Sequence, residues 1–364
     1  HKNVVCSILI MLLASVSLAD VEQSITELSD RDWQVRRAAA QSLGESGATG
    51  KTVVAALTTA LEDSDSRVRR SAADALGNIG EKARAAIPAL VDVFDDIDPS
   101  VVAAAAAATG RMGSRASRAV PDLTALLRHE DARVRAAASA SLGNLGRRAN
   151  KSAFDLNARL SDSDPNVRAA AAESLGQLGP RSDASVTDLI RILDDEDDGV
   201  REAASIALVR MGKEAVPGLV RALRNGDPIF LQAVVDTLGR IGRIAVPALS
   251  DALLDEQTPY IARGYAAMAL ARIADRDDSV INTLTKALED DAANVRMSVA
   301  EALGHAGAAA QPATGKLIEI ATNSREVVLV REFAISALVT VHRQRDVLDA
   351  RDRVEEGDVR VDLG

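Results

Sequence analysis

Three stretches of this 364-residue chain hold residue types whose spacing could do chemistry. ESGATGKT at 45–52 comes close to a phosphate-binding loop, in which backbone amides of a glycine-rich turn cradle phosphate and a lysine reaches its outer oxygens. Glu45 stands where the first glycine belongs, and that loop must follow a strand, whereas a helical pattern precedes this one. DDEDDGVREAAS at 194–205 sets Asp194, Glu196, Asp198 and Gly199 in the order of a calcium loop, but Ser205 takes the place of the closing bidentate glutamate. The third stretch is His129-Glu130. His305 and His342 lie far from it and from each other, and Cys6 is the only cysteine. No Ser-His-Asp or Cys-His arrangement emerges.

A recurring unit, not a catalytic constellation, positions these residues. DWQVRRAAAQSLGESG at 32–47 returns as DSRVRRSAADALGNIG at 65–80, DARVRAAASASLGNLG at 131–146 and DPNVRAAAAESLGQLG at 164–179. Aligned on the Val-Arg step, Arg36, Arg69, Val102, Arg135, Arg168 and Arg201 follow one another at 33 residues. Leu231, Arg263, Arg296 and Arg331 continue at 30, 32, 33 and 35, which makes ten units. A period of this size marks a stacked repeat architecture.

Each unit divides into two helical halves. Asp32, Asp65, Asp98, Asp131, Asp164, Asp197 and Asp227 stand where an N-cap carboxylate accepts from first-turn amides. Pro99, Pro165 and Pro228 follow at the first helical position. Val68, Ala72, Ala75, Leu76 and Ile79 give one apolar face, and Gly80 with its equivalents suits a left-handed C-terminal cap. The second half carries two leucine rows four residues apart, beginning Leu57 and Leu61, which share a helix face. A lone pair of helices this small cannot bury that face, so neighbours must stack. Residues 20–29 read as a leftover second helix capping the N-terminal end.

The pattern D-x-x-V-R-x-x-A-A-x-A-L-G-x-[IL]-G followed by A-[IV]-P-x-L resembles the short HEAT repeats of the phycobilisome-lyase-like type. The resemblance covers residues 20 to about 342. It implies an all-α fold, a right-handed superhelix of antiparallel pairs whose second helices line a concave face. It also implies that the repeated Asp and Arg residues form a ladder between units: Asp32, Arg36, Asp65, Arg69, Asp131, Arg135, Asp164, Arg168, Asp197 and Arg201. Enzymes with similar repeats include bilin lyases and deoxyhypusine hydroxylase, whose di-iron centre needs several His-Glu pairs. This chain has one such pair, so the resemblance does not extend to that site, and no cofactor or metal is expected.

Residues 1–19 read as a signal peptide, with Lys2, an apolar run from Val4 to Leu18 and small residues at Ser17 and Ala19. Cleavage before Asp20 would remove Cys6 and leave a chain with no disulfide and no membrane span, exported to the periplasm or outside the cell. The solenoid is expected over 20–342 and a polar tail or cap over 343–364. A net charge of −10 without a long basic run gives no electrostatic footprint for duplex nucleic acid, and 2% aromatic content offers few stacking platforms. A non-enzymatic protein-binding scaffold is the function this sequence favours, ahead of a bilin-lyase-like or deoxyhypusine-hydroxylase-like enzyme and of a structural subunit of an envelope complex. Its partner would be a protein or acidic peptide segment, bound where residues depart from the repeat pattern. Those departures are Arg191, Arg221 and Arg224 on second helices, and Phe230 and Tyr260 on first helices. Trp33 holds the same repeat position as Tyr260.

Overall fold

A computed structural model of the chain describes residues 18–179, 183–274 and 278–355, and among them every regular element is a helix. First helices are α2 (Trp33–Glu45), α4 (Ser66–Ile79), α6 (Pro99–Arg111), α8 (Ala132–Leu145), α10 (Pro165–Leu178), α12 (Asp198–Met211), α14 (Pro228–Ile241), α16 (Tyr260–Ala271), α18 (Ala293–Ala306) and α20 (Val328–Glu355). Second helices are α1 (Leu18–Glu27), α3 (Lys51–Ala60), α5 (Ile87–Asp92), α7 (Val120–Leu126), α9 (Ala153–Arg159), α11 (Asp183–Arg191), α13 (Val216–Ala222), α15 (Val246–Leu254), α17 (Asp278–Ala287) and α19 (Thr314–Thr322). Helix α1 spans the expected cleavage point at Ala19–Asp20, while residues 1–17 of the expected signal segment lie outside the described residues. The described part of the tail, up to Glu355, continues α20. No helix among the described residues is long and apolar enough to cross a membrane.

The chain divides into two compact units. One takes the residues through Asp188 with Glu196–Ala207, and the other takes Leu189–Asp195 with Leu208 onward.

In the first unit the repeat is regular because each of its parts has a local cause. Asp65 Oδ1 accepts from Arg67 N at 2.9 Å, and Asp32, Asp98, Asp131 and Asp164 do the same two residues on. Each cap contributes about 1 kcal/mol. Gly80 (φ 66°, ψ −137°) and Gly146 (φ 59°, ψ −139°) end their helices. The positive φ is as expected, but ψ falls outside the left-handed helical well, in a region essentially reserved for glycine. A 3₁₀ turn follows and delivers Pro88 or Pro121 into the first turn of the second helix. The leucines of both rows are buried, Leu57, Leu90, Leu123 and Leu156 completely.

Successive first helices pack through glycine. A Cβ on Gly44 would stand 2.7 Å from the Cα of Ala75, and one on Gly110 would stand 2.6 Å from that of Ser141. Gly77, Gly143 and Gly176 meet Ala108, Ser174 and Ala207 as closely. This near contact of backbones is why the first helices are rich in alanine and glycine and poor in aromatics.

The arginines reach the next unit, but their acceptor is not the cap aspartate. Arg69 Nε and Nη2 donate to the Asp96 carboxylate at 2.6 and 2.7 Å, while Nη1 donates to the Asp63 carbonyl at 2.8 Å. The arginine therefore ties the turn before its own helix to the following turn. Arg36–Asp63 and Arg135–Asp162 repeat the arrangement, each carboxylate lying two residues before a cap. Asp32, Asp65, Asp131, Asp164 and Asp197 instead cap their own helices. Arg168 is buried, donates to the Asp162 carbonyl and pairs with Glu196 at 3.6 Å, whereas Arg201 pairs with Asp198. Where Val102 replaces the arginine, His129 replaces the carboxylate, and its Nδ1 accepts from Asp131 N at 3.0 Å. Charge and countercharge are absent together, so neither is left buried alone.

The second unit keeps the buried leucine rows (Leu219, Leu249, Leu284 and Leu317) and two clamps, Arg263–Asp290 and Arg296–Glu326. At its uneven spacings the pattern loosens. Leu231 and the buried Thr258 stand in place of an arginine and its carboxylate. In α20 the positions of Ala73 and Gly77 are taken by Ile335 and Val339, 50% and 61% exposed.

Candidate binding site

On the first-helix side of each unit, three consecutive first helices leave a groove. In the second unit Pro228 and Leu231 of α14, Tyr260, Ile261, Gly264, Tyr265 and Met268 of α16, and Asn294, Met297 and Ser298 of α18 enclose about 450 Å³. That volume falls within the range of ligand and peptide-anchor pockets. Both tyrosines of the chain line it. Gly226 closes the end nearest the preceding turn, where the Phe230 ring lies against its backbone and leaves no room for a Cβ. A smaller recess continues past Met268 to Arg272 and His305.

In the first unit the corresponding groove is polar. Arg37 and Gln41 of α2, Arg67, Arg70, Ser71 and Asp74 of α4, and Ser100 of α6 enclose about 350 Å³. The Arg67 guanidinium lies 3.2 Å from the Trp33 ring centroid and makes a double hydrogen bond to Asp65. That bond holds the Asp65 carboxyl down at about 2. Burial pushes Asp74 upward, against the pull of Arg70 and Arg111.

The arginines expected to bind a partner sit on second helices or just beyond them. Arg191 ends α11, Arg221 lies in α13 and Arg224 in the turn that follows, all three exposed. The side chains of Arg221 and Arg224 have no ion pair or hydrogen bond among the described residues. Arg224 precedes Gly226 by two residues, so this turn joins the arginines to the edge of the apolar groove. Phe230 is half-buried and Tyr260 is 48% exposed on the groove wall. The grooves themselves escaped sequence reading, because each needs three helices and no single repeat looks unusual.

The other chemical candidates fall elsewhere. Gly47 has φ 70° after α2 and Lys51 opens α3, so ESGATGKT joins two helices. Glu196 faces Arg168, Asp197 caps α12 and Asp198 meets Arg201. His305 is 3.8 Å from Glu301 on the same helix. No group of three or more His, Cys, Asp or Glu among the described residues is arranged to hold a metal ion.

Paired helices with recurrent caps, glycine contacts and a shared leucine seam define an all-α helical-repeat protein of the solenoid class. The family model for HEAT repeats matches residues 21–110, 87–156, 120–209, 188–263 and 246–339, and the chain belongs to that family. Among solved structures it is similar to Kap95p in a complex with RanGDP, at 15% identity and TM-score 0.53, over 96% of this chain and 56% of that one. An engineered protein matches at 24% identity and TM-score 0.46, over 89% of this chain and 99% of that one. The CpcE–CpcF complex of phycocyanin lyase from Nostoc sp. PCC7120 matches at 25% and 0.43, over 63% and 92%. The likeness to Kap95p carries the fold alone, and no argument rests on the other two. No curated protein matches the sequence significantly.

Proposed function

We propose that this chain is an exported, non-enzymatic scaffold whose second unit captures a protein segment carrying an apolar anchor beside acidic residues. The groove of Tyr260, Ile261, Tyr265, Met268 and Met297 supports this reading most directly. Tyr, Met and Arg are the residue types enriched at protein interfaces, and here they replace the repeat pattern on consecutive helices. Eleven of the fourteen large, exposed apolar side chains among the described residues belong to the second unit. Arg221 and Arg224, at the turn leading into the groove, supply the charge-assisted donors that carboxylates beside the anchor require. Residues 1–19 support export, with a mature chain beginning at Asp20.

Cross-linking of the chain in its native host, followed by mass spectrometry, tests both parts. Expected are cross-links from one partner to 221–231 and 260–268, and a mature N-terminus at Asp20. Reversing Arg191, Arg221 and Arg224 to Glu should leave helix content unchanged, since Arg and Glu have similar helix propensity. The reversal should weaken that partner by a few kcal/mol, on the order of losing hot-spot arginines. Undiminished recovery by this variant and by Tyr265→Ala would place binding on another surface.

A further inference from the structure

The polar groove of the first unit has a separate use. We propose that α2, α4 and α6 form a site for a phosphate-type oxyanion, met either free or as the phosphate ester of a modified side chain. Arg37 and Arg70 each follow a clamp arginine directly, at a position where the next three units carry Ala103, Ala136 and Ala169. Over these five units the extra cation is therefore confined to the two helices, α2 and α4, that wall this groove. The side chains of Arg37, Gln41 and Ser71 have no hydrogen bond or ion pair among the described residues. Ser71 is only 7% exposed yet lines the cavity, so its hydroxyl forms a polar floor that an anion oxygen would satisfy.

Arg67 supplies the rigid wall. Trp33 on one side and the Asp65 carboxylate on the other fix its guanidinium, and Nη1 makes no hydrogen bond among the described residues. An arginine already held in place loses less conformational freedom on binding than a solvated one. Guanidinium groups match phosphate with paired, charge-assisted bonds, which a lysine cluster would not. Asp74 opposes the anion. It stands 3.8 Å from Arg70, too far for a hydrogen bond, and leaves that arginine able to turn to a stronger acceptor.

Trp33 is the only tryptophan, and its contact with Arg67 makes it a reporter of the site. Its emission is followed in the full chain during titration with inorganic phosphate, and separately with a phosphoserine peptide and its unphosphorylated form, at constant ionic strength. A saturating change with either phosphate probe supports the site. A response to the peptide alone identifies an ester presented by a protein, and a response to inorganic phosphate alone identifies the free ion. Arg37→Ala with Arg70→Ala should weaken the responding probe at least about tenfold, and Asp74→Asn should tighten it several-fold. The second change is a gain that misfolding cannot mimic. The proposal is overturned by the absence of saturation with both phosphate probes, by equal binding of the unphosphorylated peptide, or by unaltered affinity in the double variant. None of these results bears on the apolar groove, which lies in the other unit.

Discussion

Helices α4 and α16 hold the same place in their repeats, each the middle wall of a groove, yet they line it with opposite chemistries. Aligned on Arg69 and Arg263, the positions of Arg67, Arg70, Ser71 and Asp74 become Ile261, Gly264, Tyr265 and Met268. The buried positions do not diverge in this way. Leu76 and Leu270 are both fully buried, and Arg69 and Arg263 make the same clamp to Asp96 and Asp290. Stacking thus fixes one set of positions and leaves another free, and binding chemistry can change at the free set without disturbing the fold. The first unit combines this freedom with an even 33-residue period and, among the described residues, only three large exposed apolar side chains, Leu18, Ile97 and Phe154. The second relaxes both the period and the surface.

The largest expected effect tests whether the first unit is modular. Deleting Asp131–Ser163 removes one full period, and Gly110 then meets Ser174 where it met Ser141. Circular dichroism and thermal melting should report a folded, fully helical protein. Deleting about half that length should abolish cooperative melting, because the leucine seam and the glycine contacts lose register. Equal melting of the two deletions would break the contrast between an even and an uneven unit.

The next effect concerns the clamp. Arg69→Val strands the largely buried Asp96 carboxylate and should cost about 3 kcal/mol in denaturant unfolding. Adding Asp96→His recreates the natural Val102–His129 pair and should return the protein to within about 1 kcal/mol of the parent. A double variant as unstable as the single one would show that the paired replacement is incidental.

The smallest effect is a difference in acid sensitivity between the units. Arg36 hydrogen bonds hold Asp63 below its ordinary value. Burial raises Asp96 and Asp162, but the bonds from Arg69 and Arg135 outweigh it and leave both lowered. In the second unit Glu326 is lowered by its bonds to Arg296. A carboxylate lowered on folding contributes stability that is complete above its unfolded value, 3.8 for Asp and 4.5 for Glu, and is lost as pH falls through the folded value. Stability should therefore hold from pH 7 to about 5 and decline below about 4.5. Hydrogen exchange should show protection around Glu326 in the second unit falling first, below about pH 4.5, and the first unit's clamps following below about 3.8.

Much of the fold was legible because its causes are local. A cap aspartate, a helix-ending glycine and leucines at i and i+4 each declare themselves within one repeat, and copying multiplies the signal. The clamp was only half legible. Arg69 was visible, but the aspartate motif drew its partner toward the cap, whereas the acceptor lies two residues earlier, 27 residues beyond the arginine. Asp63, Asp96 and Asp162 do recur in the sequence, and pairing each with the arginine of the unit before would have exposed the bridge. Tyr260 stood out as a rare residue type, but Gly264, Met268 and Met297 draw attention only once three helices place them around one space.

Val339 carries a consequence for how near a following helix can come. Five successive first helices of the first unit present a glycine to the helix that follows, and the backbones come so near that no side chain fits between them. Val339 fills that position on α20, with Ile335 one turn before it. A helix packed on these two branched side chains must stand farther off than the glycine contacts of the first unit allow. A valine at this position does not by itself end the array, since Val209 holds it on α12 and further repeats follow.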